Sequence, residues 1–291
     1  MKLKSFLPVA ILLSFSSCNR DPHILATKYL QSGNKYFQKG MYKEARIMYR
    51  TALRREPKYG LAHYQLAQVE VKLGNVPIAV GSLRRALERL GQIQPRPVEY
   101  MKARILLADL YVLARMHDDG SLREIEDTAA ALLLEDRNSF DGHRLRGDLA
   151  AARWAMEESR RNFEKAKGHI ETATAEYRQA SAILPFQNEI RFSLARALAF
   201  DRQFPEAEAI YTSTIAKDEH LVQAYLELAR VFEAQKQYGQ VEETYRKGFA
   251  ANPNDYDLLM GLARFYYQTS RPKQAIDVLQ KVRSHAHGRR R

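Results

Sequence analysis

Small and aromatic residues return along this chain at one fixed interval of 34 residues. Gly33 and Ala67 stand that far apart, and so do Ala195, Ala229 and Ala263. A second series runs Ala45 and Ala79, then Ala173, Ala207, Val241 and Ala275, and a third runs Tyr49 and Leu83, then Tyr177, Tyr211, Tyr245 and Leu279. Pro57, Pro185 and Pro253 interrupt the pattern, with Gly91 and Glu219 at the equivalent places in two other units. Independent series sharing one period of this length mark a stacked array of identical supersecondary units, each too small to bury its own apolar face.

The unit itself is legible between Tyr29 and Pro57. Apolar and small residues recur there at three- and four-residue steps, which is helical spacing. Gly40 breaks the run and supplies a turn, and Pro57 closes the second helix. Gly33, Ala45 and Ala52 fall where facing helices must approach, while Tyr36 and Tyr49 fill the gaps between them. The unit reads as a helical hairpin, and its length and pattern resemble the tetratricopeptide repeat. The resemblance runs from about Ala26 to Arg283 and is strongest in units one, two, five, six and seven; the tryptophan common early in that repeat is replaced by Tyr29, His63 and Tyr225. It implies an all-α chain, a right-handed α-solenoid of the tetratricopeptide-repeat (TPR) type with about seven helical hairpins and a concave groove. The units are expected near 26–59, 60–93, 98–138, 139–185, 188–221, 222–255 and 256–283.

Two units depart from the period. The step from Ala67 to Ala108 is 41 residues, which fits one hairpin with a proline-marked entry and a longer loop at His117 to Ser121. The step from Gly147 to Ala195 is 48, an excess of 14, or close to four helical turns, which keeps the faces in phase. Phe163, Ile170, Tyr177 and Leu184 recur every seven residues with Ala166, Ala173 and Ala180 between them, which favours a second helix starting near Glu158 and passing through Gly168. The other reading makes Gly168 the turn and lengthens the first helix alone.

The ends carry different information. Lys2 and Lys4, the apolar stretch from Phe6 to Phe15 and the pair Ser16-Ser17 form the layout of a secretory signal. A membrane-spanning helix needs about 20 apolar residues, twice this run. Phe15-Ser16-Ser17-Cys18 resembles the lipobox of bacterial lipoproteins, with Phe15 in place of the usual Leu; Cys18, the only cysteine, would become the acylated first residue after removal of residues 1–17. An ordinary signal peptide with an incidental cysteine is the alternative. Residues 18–25 then form a tether, and 284–291 a basic disordered tail; either the last hairpin caps itself, or a partner or further sequence covers its end. Loss of Lys2 and Lys4 takes the formal charge from +12 to +10, which suits acidic proteins, anionic polymers and membrane surfaces. An exported chain meets no nucleic acid.

The sequence holds no HExxH, GxxxxGK[ST], GxGxxG or GxSxG. His285 and His287 are two imidazoles in a tail, and the Arg-Gly-Asp run at Arg146 to Asp148 lies within an expected helix. Trp154, the only tryptophan, is expected to pack in the long hairpin. The reading is therefore a non-enzyme, with no cofactor and no metal. The suggestive feature is Leu-Ala-Arg repeated at 34-residue spacing, which puts Arg196, Arg230 and Arg264 one place after the close-packed alanine. The resemblance places this position on the groove. Asn34, Gln68, Asp109 and Asp148 occupy it in the first four units, so the groove would run from neutral or acidic to basic. One turn earlier Leu30, Tyr64, Ile105, Phe192, Leu226 and Met260 would line the same surface, with Arg144 the exception. Such a surface suits an extended or helical peptide bearing acidic groups, unless the arginines pair with acids of neighbouring repeats.

The resemblance extends to bacterial TPR lipoproteins of exopolysaccharide, protein-sorting and pilus assembly systems. It implies a scaffold that binds proteins at the periplasmic face of a membrane, the outer one favoured because Asn19 rather than Asp follows Cys18. The alternative is direct binding of anionic polysaccharide or phospholipid through the basic groove. The oligomeric state is not encoded in any of these features.

Overall fold

The computed structural model describes residues 21–116, 118–253 and 255–288, with side chains described as far as 280. Among the described residues there are fourteen α-helices and no strand. They pair in chain order: α1 (Pro22–Gln38) with α2 (Tyr42–Arg55), α3 (Gly60–Lys72) with α4 (Val76–Leu90), α5 (Val98–Leu113) with α6 (Asp119–Glu135), and α7 (Phe140–Ser159) with α8 (Phe163–Ile183). The series continues as α9 (Asn188–Phe200) with α10 (Phe204–Lys217), α11 (Val222–Ala234) with α12 (Tyr238–Ala251), and α13 (Tyr256–Gln268) with α14 (Pro272–Gly288). The chain divides into two compact units, which part between Leu107 and Ala108.

One turn chemistry joins the helices inside all seven hairpins. In α9–α10 the Arg202 N–H donates to the Ala199 carbonyl (3.2 Å) and the Gln203 N–H to the Leu198 carbonyl (2.8 Å), a Schellman motif that satisfies the last carbonyls of the first helix. The same pair of bonds recurs at Gly40, Gly74, Arg115, Arg161, Lys236 and Ser270. Each of these seven residues has positive φ, from 51° at Arg115 to 75° at Gly74. Gly40 is the turn its sequence announces, whereas five turns place a residue with a side chain in the left-handed region, which costs about 1–2 kcal/mol.

The 34-residue series form the core, except for Leu279, which is exposed on α14. In the N-terminal unit Ala26, Leu30, Ala45, Tyr49, Ala52 and Leu66 are buried together. In the C-terminal unit one cluster joins Ile170, Tyr177, Phe192, Leu198 and Tyr211, and another joins Tyr225, Val241, Tyr245, Leu258 and Phe265. The small positions are dictated by the tyrosines beneath them. A Cβ added at Gly147 would stand 2.6 Å from two carbons of the Tyr177 ring, and one at Gly33 would collide with the Tyr49 ring.

The long hairpin is lengthened in both arms. α7 and α8 have 20 and 21 residues against 13 and 14 in the pairs α9–α10 and α11–α12. Each arm gains seven residues, two turns or about 10 Å. Gly168 lies inside α8, as the heptad spacing requires, but the helix starts at Phe163 instead of near Glu158, because Arg161 takes the Schellman turn. Ile170 and Tyr177 of the heptad are buried; Phe163, in the first turn at the hairpin tip, is exposed, and Leu184 caps the other end.

Three further boundaries differ from expectation. α1 begins at Pro22, inside the expected tether, because Asp21 accepts the His23 N–H and Pro22 sits where its missing donor costs nothing. α6 begins at Asp119, since Asp118 accepts the Ser121 N–H and hydroxyl as its cap, so Ser121 is helical and buried rather than part of a loop. α14 runs to Gly288, past the expected start of a disordered tail at 284, because no breaker intervenes before that glycine. The expected signal segment, Cys18 and Asn19, His117 of the expected loop, and Arg289 to Arg291 lie outside the described residues.

Candidate functional site

The row expected to line a groove is carried by the first helix of each hairpin, directly after the close-packed small residue, which at Gly33 and Gly147 lies against a tyrosine ring of the second helix. In the N-terminal unit this row is neutral and locally bonded. The Tyr49 hydroxyl donates to Asn34 Oδ1 (2.8 Å), and Gln68 Nε2 donates to the Tyr64 hydroxyl (2.9 Å). Burial pushes the Tyr49 hydroxyl up to about 12. Leu30 and Tyr64, expected beside the row on an open surface, are core residues instead, because the helix turn that carries them faces its neighbours.

In the C-terminal unit the row begins acidic. Arg144 on α7 donates to Asp109 (2.7 Å), Asp141 (2.9 Å) and Asp148 (3.2 Å), so one guanidinium serves three carboxylates. The Tyr177 hydroxyl donates to the other oxygen of Asp148 at 2.8 Å. Burial raises Asp109 and Asp148 above the usual carboxylate range against the opposing pull of Arg144. Burial also works against the charge of Arg144, and Asp109 and Asp148 outweigh it, so the guanidinium stays charged. Arg144, the charged exception in the apolar lining, is the centre of the acidic cluster.

Further along, Arg196 and Arg230 approach the same oxygen of Glu227, at 3.6 and 3.1 Å. The Glu227 side chain is 8% exposed, and both guanidinia are about half exposed. Arg264 is exposed beside Glu233, whose carboxyl burial raises while Arg264 and Arg230 draw it back down. The expected basic ladder is therefore largely internally compensated. Glu227 and Glu233 were missed in the sequence, although Glu227 sits three residues before Arg230, the spacing at which helix side chains meet. Phe192 is buried, its ring 5.2 Å from that of Tyr211; Ile105 and Leu226 are half-buried, and Met260 is exposed. Of the expected apolar lining, only Ile105, Leu226 and Met260 reach the surface.

Trp154 stacks on Phe200 with ring centroids 4.2 Å apart, and the Arg-Gly-Asp run lies within α7. Among the described residues there is no group of three or more His, Cys, Asp or Glu side chains placed to hold a metal, and no helix long and apolar enough to cross a membrane. What each unit offers is a patterned polar surface on a helical frame.

Tetratricopeptide-repeat models match residues 30–97 and 232–291. No curated protein matches the sequence. Among solved structures, a tetratricopeptide repeat protein from Parabacteroides merdae is similar at TM-score 0.66 and 14% identity, over 90% of this chain and 93% of its own. PilW, a type IV pilus biogenesis factor, is similar at 0.61 and 18% over 81% and 98%. PilF of Pseudomonas aeruginosa is similar at 0.56 and 14% over 84% and 99%. At such identities the likeness is one of fold. Repeat period, Schellman turns, buried tyrosines and these matches agree: the chain is built from tetratricopeptide repeats.

Proposed function

We propose that this chain is a non-enzymatic scaffold that holds other proteins at a bacterial cell envelope during assembly of a secretion, pilus or exopolysaccharide export apparatus. The observation that carries the reading is a constant frame with a variable row. All seven hairpins share one turn and a buried small residue on the first helix, while the residue after that close-packed position changes from Asn34 and Gln68 to Asp109 and Asp148 and then to Arg196, Arg230 and Arg264. A frame held constant under a changing charge pattern is suited to recognising an extended surface on another protein. Acylation of Cys18 supplies the membrane attachment, since each buried methylene adds about 0.8 kcal/mol and two or three chains hold firmly. The fold shared with PilW, a type IV pilus biogenesis factor, gives the assembly reading its direction.

Affinity capture from solubilised envelopes tests this reading, with the native chain beside one carrying Arg196→Gln, Arg230→Gln and Arg264→Gln at matched helicity. Specific proteins that bind the native chain and are lost from the variant are expected; identical captures, or none, refute the ladder's part. Cys18→Ser is expected to move the protein from the membrane to the soluble fraction.

A second reading, binding of an anionic polymer or phospholipid surface, draws on the turns. Arg161, Arg202 and Lys236 are exposed there and make no ion pair among the described residues. Binding by such charges fades as the Debye length shrinks from about 10 Å at 0.1 M salt to about 3 Å at 1 M, whereas a protein partner seated on apolar residues persists.

A further inference from the structure

The lengthened hairpin has a cavity of about 500 Å3 beside it, within the C-terminal unit. α5, α7, α8 and α9 all contribute to its wall. The Trp154 and Phe200 rings, stacked on each other, line it. Ala151, Ala152, Ala155 and Ala197 leave the space that larger side chains on the same helices would fill.

The charges around this cavity are unbalanced. Asp148 is its only acidic lining residue, and both of its oxygens are already engaged, by the Tyr177 hydroxyl and by Arg144. Arg115 is held at the cavity by the left-handed turn after α5, and its guanidinium makes no hydrogen bond or ion pair among the described residues. Arg196 is bound only loosely, to the Ser193 hydroxyl at 3.4 Å and to Glu227 at 3.6 Å. Two guanidinium forks therefore flank an aromatic cavity in which no carboxylate remains free to answer them. An arginine fork matches a carboxylate in bidentate geometry, and the volume lies within the range of pockets that enclose a ligand group.

We propose that this cavity docks an acidic segment of a partner protein, seating one large apolar side chain against Trp154 and placing a flanking carboxylate on Arg115 or Arg196. The inference rests on the scaffold reading and names the chemistry of the partner. A concave site with an aromatic wall selects a protruding side chain, which a flat layer of lipid headgroups does not present.

Trp154 is the only tryptophan of the chain, so its emission reports occupancy directly. Random peptides displayed on phage are selected on the native chain and depleted on an Ala155→Phe chain, whose new ring occupies the cavity from an exposed position. The expected survivors carry a large apolar residue flanked by Asp or Glu. Synthetic, tryptophan-free versions should shift Trp154 emission saturably, and Arg115→Gln or Arg196→Gln should weaken them on the order of tenfold. Survivors without acidic residues, affinities unchanged by both arginine variants, or no peptide that distinguishes Ala155→Phe from the native chain would each overturn the proposal. So would a Trp154 response to phosphatidylglycerol vesicles with none to any peptide. If envelope proteins still co-purify with Ala155→Phe as with the native chain, the scaffold reading stands and this docking site falls alone.

Discussion

Gly147 and Gly168 lie in the two arms of one hairpin, and replacing each by alanine should shift stability in opposite directions. Both are helical, so both gain the same intrinsic advantage, about 1 kcal/mol for alanine over glycine. At Gly168 a Cβ meets nothing within 4 Å, and the whole gain is expected. At Gly147 the Cβ would stand 2.6 Å from Cδ1 and Cε1 of Tyr177, and that ring cannot easily retreat. It is 5% exposed, and its hydroxyl is tied to Asp148 at 2.8 Å. Overpacking of this kind costs about 1–3 kcal/mol. Because the propensity gain cancels in the comparison, the two variants should differ by that cost, with Gly147→Ala less stable than the native chain or at best equal to it. Urea unfolding followed by Trp154 emission suits the measurement, since that tryptophan sits on α7 and reports this hairpin even where an array does not unfold as one unit. Equal midpoints for the two variants at unchanged slope would refute the claim that tyrosine rings dictate the small residues of the repeat.

Other consequences follow from charge and backbone. Glu227→Gln should destabilise the C-terminal unit by up to about 1 kcal/mol by leaving the half-exposed Arg196 and Arg230 without their shared anion, and added sulfate should restore more of the variant's melting temperature than of the native chain's. His63 is held below its ordinary value of 6.5, chiefly by burial and further by Arg85 and Arg89. The unfolded chain thus binds a proton that the folded one refuses, and stability falls as pH drops from 6.5 toward the depressed folded value. The native chain should therefore lose stability relative to His63→Gln across that window, and parallel pH profiles would contradict the assignment. Arg202→Gly should stabilise by up to about 1 kcal/mol, the left-handed cost of about 1–2 kcal/mol less the entropy penalty of glycine; thermal melts of the two chains compare them.

Where sequence and structure agree, the reason is packing. Gly33 and Gly147 are pressed against the Tyr49 and Tyr177 rings and must stay small, and pressure of this kind leaves a visible period. The same holds for the in-phase lengthening of α7 and α8, because whole turns are the additions that keep buried stripes aligned. The turns carry a glycine signal only at Gly40 and Gly74. Elsewhere Arg115, Arg161, Arg202, Lys236 and Ser270 adopt the glycine conformation without being glycine, held by two backbone hydrogen bonds that no side chain announces.

The candidate surface was the less legible part because charge has no period of its own. Spacing brought out Arg196, Arg230 and Arg264 as a ladder, and a ladder read alone looks like an open basic track. Its meaning depends on what lies across a helix turn and across the repeat boundary. Glu227 reaches Arg230 along one helix at 3.1 Å and Arg196 of another helix only at 3.6 Å, so the buried carboxylate turns Arg230 into structure and holds Arg196 loosely. The same logic moves Asp109 and Asp148 out of the set of free acids, since Arg144 and Tyr177 claim them. What remains for a partner is the residue left over after internal pairing. That subtraction points away from the middle of the ladder and toward Arg115 and the loosely held Arg196 beside Trp154, where unpaired charge and an aromatic wall coincide.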